Sequence, residues 1–214
     1  MKERVFAIIY MFIITLVFTS MVSAVKYFQN ERIQTNEKVK LERIILKVLN
    51  ISLNKHASNQ EIIHTFENRI KKTTIQGKSI FIGYDQNNKT IKGYAFPVSG
   101  PGFWGPVFGM VAVDEKAEKV IGLAFYRHSE TPGLGGRITE DWFQEQFKGL
   151  RLKKIGKTDY IFYLRPEGTK KEPYELDAIT GATMTSRSVE KFLNEELEEF
   201  IRNTRNKLIS QMGH

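Results

Sequence analysis

Residues 78–96 read KSIFIGYDQNNKTIKGYAF. Lys78–Tyr84 and Thr90–Phe96 follow a period of two, and the Asp85-Gln86-Asn87-Asn88 run between them is turn chemistry, so the stretch predicts a β-hairpin. Toward the C-terminus, Val107–Val113 and Lys119–Arg127 flank a second turn at Asp114–Ala117, and Lys157–Leu164 is a further strand candidate. Helical spacing brackets these strands. Ser58 followed by Glu61 has capping-box spacing, and Ile62, Ile63, Phe66 and Ile70 predict a short helix. Thr139–Phe147 predicts another, closed by Gly149. From Thr185 to Arg205 an apolar stripe of Val189, Phe192, Leu193, Leu197, Phe200 and Ile201 predicts a long amphipathic helix. Hairpins and helices in mixed order predict an α+β fold: an antiparallel sheet with flanking helices. No internal repeat or low-complexity tract interrupts it.

Upstream lies a different kind of segment. Val5 to Val25 carries no charge over 21 residues and is flanked by Lys2, Arg4 and Lys26. At about 1.5 Å per residue such a helix is roughly 30 Å long and matches the hydrocarbon core of a bilayer. Val22-Ser23-Ala24 loosely resembles a signal-peptide cleavage site, but the apolar run exceeds the usual signal length, so the expectation is an uncleaved transmembrane helix. Lys2 and Arg4 favour a cytoplasmic start, whereas Lys26, Arg32, Lys38 and Lys40 favour the reverse; charge counting leaves the side open. Gln29 to Leu53, with Leu41, Ile44, Ile45, Val48 and Leu49 on one face, predicts a helical stalk. The expected organisation is a membrane anchor over 1–28, stalk and short helix over 29–74, and one soluble domain over 75–214.

Composition narrows the function. The chain has 214 residues with 41% hydrophobic content, enough for a packed core, and no cysteine. That excludes disulfides, thiol nucleophiles, Cys-ligated iron–sulfur clusters and c-type haem attachment. His56, His64, His128 and His214 lack metal-ligand spacing, so no metal site is expected. His128 is expected to stabilise a turn. Ser186 and Ser188 have no nucleophile-elbow context. The net charge of +8 is spread over stalk and C-terminal helix without a nucleic-acid module, which leaves acidic membrane lipid or acidic partner subunits as its counterpart.

Two loops look chemical. Asp177-Ala178-Ile179-Thr180-Gly181-Ala182-Thr183 stands before the long helix. It reads first as a turn with hydroxyl caps from Thr183, Thr185 or Ser186. Yet a helix start offers unpaired N–H groups and a positive dipole end suited to phosphate. Gly181 and Ala182 keep bulk away, and Thr183 sets a hydroxyl beside that place. A free hydroxyl needs a base or metal to take up a phosphoryl group, and Asp177 is the nearby candidate to orient one. The second loop, Ser129-Glu130-Thr131-Pro132-Gly133-Leu134-Gly135-Gly136, is a Pro-Gly turn that is neither a Walker A loop nor a dinucleotide fingerprint.

DAITGAT resembles the flavinylation motif of the FMN-binding domain family: Asp, two variable residues, Ser or Thr, Gly, Ala, Thr. The family includes one subunit of the sodium-translocating NADH:quinone oxidoreductase (Nqr) and one of the related Rnf electron-transport complex. Glu130–Gly135 is similar to that family's Glu-Thr-Pro-Gly-Leu-Gly segment, about fifty residues ahead of the motif as in the family. Gly100–Gly109 (GPGFWGPVFG) is similar to its glycine- and aromatic-rich stretch. The likeness extends roughly from Ile75 to Phe200.

The resemblance implies FMN joined by a phosphoester to Thr183 by a separate flavin transferase that uses FAD. It implies a cofactor-binding set of Asp177, Thr180, Gly181, Ala182, Thr183, Thr185 and Ser186, with Glu130, Thr131, Gly133, Leu134, Gly135, Phe103 and Trp104 near the ring. Phe103 and Trp104 also read as plain core, and Trp142, Phe143 and Phe147 as packing. No catalytic residue is expected. The implied role is an electron-transfer subunit of an Rnf- or Nqr-type membrane complex, its soluble domain on the periplasmic or extracellular side. Two alternatives stay open: a free-standing anchored flavoprotein carrier, and a non-redox module that binds an anionic ligand.

Overall fold

The computed structural model describes residues 2–54, 56–156, 158 and 160–212. Two compact units form, 1–41 and 42–214. In the first, the helix α1 (Lys2–Val48) begins. Its Lys2–Gln29 portion is long and apolar enough to cross a membrane, and none of it is buried.

The second unit is built on a five-stranded antiparallel meander of β1 (Ile70–Ile75), β2 (Lys78–Tyr84), β3 (Ile91–Pro101), β4 (Pro106–Val113) and β5 (Val120–Arg127), in chain order. The expected hairpins are present. Asp85 closes the first, its Oδ1 accepting the N–H groups of Asn87, Lys89 and Thr90, and Asp114 does the same for Glu118 and Lys119 in the second. Because side chains alternate across a pleat, each face has its own composition. The row Ile82, Tyr94, Val113 and Val120 belongs to the main core. Beside it Phe96 stacks on Phe200, ring centroids 4.3 Å apart. On the opposite face Ala95, Ala112 and Gly122 are cross-strand partners. Their small size lets the end of α1 approach: a Cβ at Gly122 would lie 2.2 Å from the Val48 carbonyl oxygen.

Several elements differ from expectation. The short helix α2 (Asn59–Arg69) starts at Ser58, whose hydroxyl accepts the Glu61 N–H at 3.2 Å. It stops before Ile70, which is extended and opens β1. β1 turns into β2 through Gln76 and Gly77, both at positive φ (51° and 81°), a two-residue hairpin geometry. In place of a helix over 139–147 there is a 3-10 turn, Gly135–Thr139, and the short α3, Asp141–Glu145. The aromatic residues of this segment do pack: Phe143 and Phe147 are fully buried.

The strand expected over 157–164 shrinks to β6 (Tyr163–Arg165), which pairs in parallel with β7 (Glu175–Asp177). The reason is the buried Asn194, whose Oδ1 accepts the Ile161 and Phe162 N–H groups and so replaces a neighbouring strand. Positions 157 and 159, like His214, lie outside the described residues. The long helix α4 runs Thr183–Glu199, followed by a π-helical turn, Phe200–Thr204, and α5, Arg205–Met212.

Candidate functional site

Asp177 ends β7, and all its polar atoms are engaged. Its N–H and C=O pair with the Gln146 amide at 2.8 and 3.2 Å. Oδ1 accepts the Gly168 N–H at 3.0 Å and Oδ2 meets Lys170 Nζ at 2.8 Å. Lys170 holds the Asp177 carboxyl below the ordinary carboxylate range, against the opposing effect of burial. The side chain therefore fastens the 166–170 loop beside the motif.

The chain then turns sharply. Ile179 is buried and its N–H donates to Ser186 Oγ at 3.1 Å. Gly181 takes φ +78°, and a Cβ there would lie 3.3 Å from Leu134 Cδ2. Ala182 is the residue before α4 and offers no side-chain cap, so the hydroxyl caps expected from Thr183, Thr185 or Ser186 are absent, and the Thr183, Met184 and Thr185 N–H groups have no acceptor among the described residues.

The hydroxyls of this segment are sharply divided. Thr180 donates to Glu167 Oε2 at 2.8 Å, Thr185 to Glu130 Oε2 at 2.5 Å, and Ser186 accepts from Ile179. Thr183 is exposed, and among the described residues its hydroxyl has no hydrogen-bond partner.

Glu130 joins the two chemical loops. It is buried (4% exposed). While Oε2 takes the Thr185 hydroxyl, Oε1 accepts the N–H groups of Phe103 and Trp104 at 2.8 and 3.0 Å. His128 Nδ1 accepts the Glu130 N–H at 3.1 Å, the turn-stabilising role expected of it. Two glycines make room for this carboxylate. A Cβ at Gly102 would sit 2.5 Å from Oε1, and one at Gly135 2.6 Å from Oε2. The Thr131 carbonyl accepts the N–H groups of Leu134 and Gly136, and Gly133 has φ +73°, so the Pro-Gly turn is tight. Three loops far apart in sequence thus converge on one carboxylate.

Around Thr183 the surface is two-sided. One set of side chains is apolar and exposed: Phe103 (51%), Trp104 (67%), Leu134 (46%) and Met184 (54%), one or two from each converging loop. The Phe103 and Trp104 rings meet edge to face at 4.9 Å. Met184 escaped the sequence reading. Its signal was available, since it lies on α4 but outside that helix's apolar stripe. The other side is a cavity of about 500 Å³ lined by Thr183, Thr180, Gly181, Arg165, Glu167, Arg187 and Glu190, among others. Burial pushes the Glu190 carboxyl above its ordinary value, although its Oε2 accepts the Leu164 N–H at 2.5 Å.

An α+β domain with an open helix start and an apolar rim is the class of protein this geometry defines. Residues 102–198 match the model of the FMN-binding domain family. The NqrC protein of Chlamydia caviae, a component of its Na(+)-translocating NADH-quinone reductase, is 33% identical over 142 residues, covering 58% of this chain and 43% of that protein. The match to its counterpart in Yersinia pestis covers 40% of that protein, so the chain spans less than half the length of these relatives. A subunit of the proton-translocating ferredoxin:NAD(+) oxidoreductase complex of Clostridium ljungdahlii is 27% identical, and the match covers 92% of both chains. The crystal structure of Shewanella oneidensis NqrC shares the fold, with a TM-score of 0.69 at 23% identity over 80% of this chain and 97% of that one.

Proposed function

We propose that this chain is a membrane-anchored electron-transfer subunit that carries FMN through a phosphoester on Thr183, within an ion-translocating complex of the Rnf or Nqr type. The observation that carries this reading is the state of Thr183: in a segment of four hydroxyls it is the one left exposed and unengaged. The surroundings fit a flavin nucleotide. Gly181 at positive φ keeps a side chain out of the turn, the open amides of α4 suit a phosphate, and Phe103, Trp104, Leu134 and Met184 present apolar surface that water covers poorly.

Bound FMN supplies reversible electron transfer, chemistry that protein side chains lack. The chain's own residues orient and shelter it. Glu130 holds the Phe103–Trp104 backbone and the first turn of α4 in register. Leu134 lies against Gly181. The ester bond at Thr183 retains the cofactor whatever its charge. Attachment needs a flavin transferase, because Asp177 is committed to Lys170 and Gly168 and no base reaches the hydroxyl among the described residues.

The Rnf reading gains from matched length, since the Clostridium relative and this chain cover each other over 92%. We place the apolar Lys2–Gln29 helix in the membrane and the FMN-binding domain outside the cytoplasm, in contact with other membrane subunits and lipid. Intact mass of the chain produced with a flavin transferase tests the central claim. The expected result is one FMN adduct in the wild type and none in Thr183→Val; an adduct surviving that substitution moves the attachment elsewhere. Protease accessibility in oriented vesicles tests the sidedness.

A further inference from the structure

We infer that Arg187 is the counter-ion of the phosphodiester on Thr183, an inference that rests on the attachment proposed above. Thr183 and Arg187 are four residues apart on α4, so their side chains stand on one face, with Cβ atoms about 5–6 Å apart. Both line the same 500 Å³ cavity. A guanidinium on such a stem reaches the oxygens of a group esterified to Thr183, and its planar fork matches two of them at once.

The other charged groups of the cavity point to Arg187 rather than compete with it. Arg165 is engaged: its Nε lies 2.8 Å from Glu175 Oε1 and its guanidinium rests over the Tyr163 ring. Glu167 holds the Thr180 hydroxyl. Glu190 accepts the Leu164 N–H and senses Arg187 only through its field. Among the described residues Arg187 makes no ion pair or hydrogen bond, and it is exposed. A cation left unengaged one turn from an unengaged hydroxyl is arranged for an anion that arrives with the modification. The polar cavity then receives the phosphate end of the cofactor, and the apolar rim of Phe103, Trp104, Leu134 and Met184 is left for the ring.

The test uses the full chain, loaded by a flavin transferase, as wild type, Arg187→Gln, Arg187→Lys and Arg202→Gln, the last removing an arginine already paired with Glu198. The readouts are adduct occupancy by intact mass and the phosphorus NMR resonance of the ester at low and high salt. Arg187→Gln is expected to shift the resonance and abolish its salt dependence, Arg187→Lys to restore part of both, and Arg202→Gln to leave the wild-type signal. An unshifted resonance in fully loaded Arg187→Gln overturns the inference while leaving the Thr183 ester intact. Absence of an adduct in the wild type overturns the attachment itself, and the inference with it. If Arg187→Gln resists loading, arginine side-chain NMR of the wild type decides. A newly exchange-protected Nε–H on loading, missing from Arg187→Lys, supports the pairing; no change on loading overturns it.

Discussion

At the scale of single residues the site is a matter of which polar atoms are already spoken for. Glu130 accepts three hydrogen bonds from two loops in a buried position. Glu130→Ala strands two amides and a hydroxyl and is expected to cost about 2–4 kcal/mol in denaturant unfolding. Glu130→Gln keeps an acceptor for the amides and should recover most of that loss. Thr183→Val removes an exposed group with no partner among the described residues, so its unfolding free energy should stay within about 0.5 kcal/mol of wild type, whatever it does to the flavin attachment proposed above. That contrast separates a residue that builds the site from one that uses it. The resemblance of Asp177–Thr183 to a flavinylation motif was readable from seven adjacent letters, but the role of Glu130 as a clasp was not. Its partners Phe103 and Thr185 lie 27 and 55 positions away in opposite directions.

Among the elements, close approach is the governing constraint. Gly122 has no space for a methyl group against the Val48 carbonyl, so Gly122→Ala is expected to destabilise by about 1–3 kcal/mol, measured by chemical denaturation. Where sequence periodicity overestimated a strand, the cause is tertiary. Ahead of β6, Ile161 and Phe162 are strand-like residues, yet Asn194 of α4 accepts their amides, and this is a tertiary substitute that no local window reveals.

For the molecule as a whole, acidity is the informative variable. Lys170 depresses the Asp177 carboxyl in the fold. A group with a lowered folded pKa adds stability that is fully present above its unfolded value and is lost as pH falls through the folded one. The domain should therefore weaken below about pH 4, and Asp177→Asn should flatten that fall by lowering stability near neutrality while changing little at pH 3, where the wild-type carboxyl is itself protonated. Thermal melts at pH 7 and pH 3 give the comparison, and an unaltered acid slope in the variant would contradict it. The charged partner is half exposed, so solvent screens the effect and it should be modest. A chain lacking residues 1–28 is expected to leave the membrane fraction on sedimentation while the second unit stays folded, because the sheet and its covering helices lie within 42–214.

Hairpins, the apolar N-terminal helix, the amphipathic C-terminal helix and the motif-like run Asp177–Thr183 are all legible in the amino-acid order itself. Each depends on neighbours within a few positions: pleat alternation, helical repeat, or a short run of turn residues. The folded chain alone decides which hydroxyl remains free. Thr180, Ser186 and Thr185 find partners 13, 7 and 55 residues away, and Thr183 finds none among the described residues. Hydrogen bonding is a contest for partners in space, and its outcome is written in the packing of β7, α4 and the Glu130 loop.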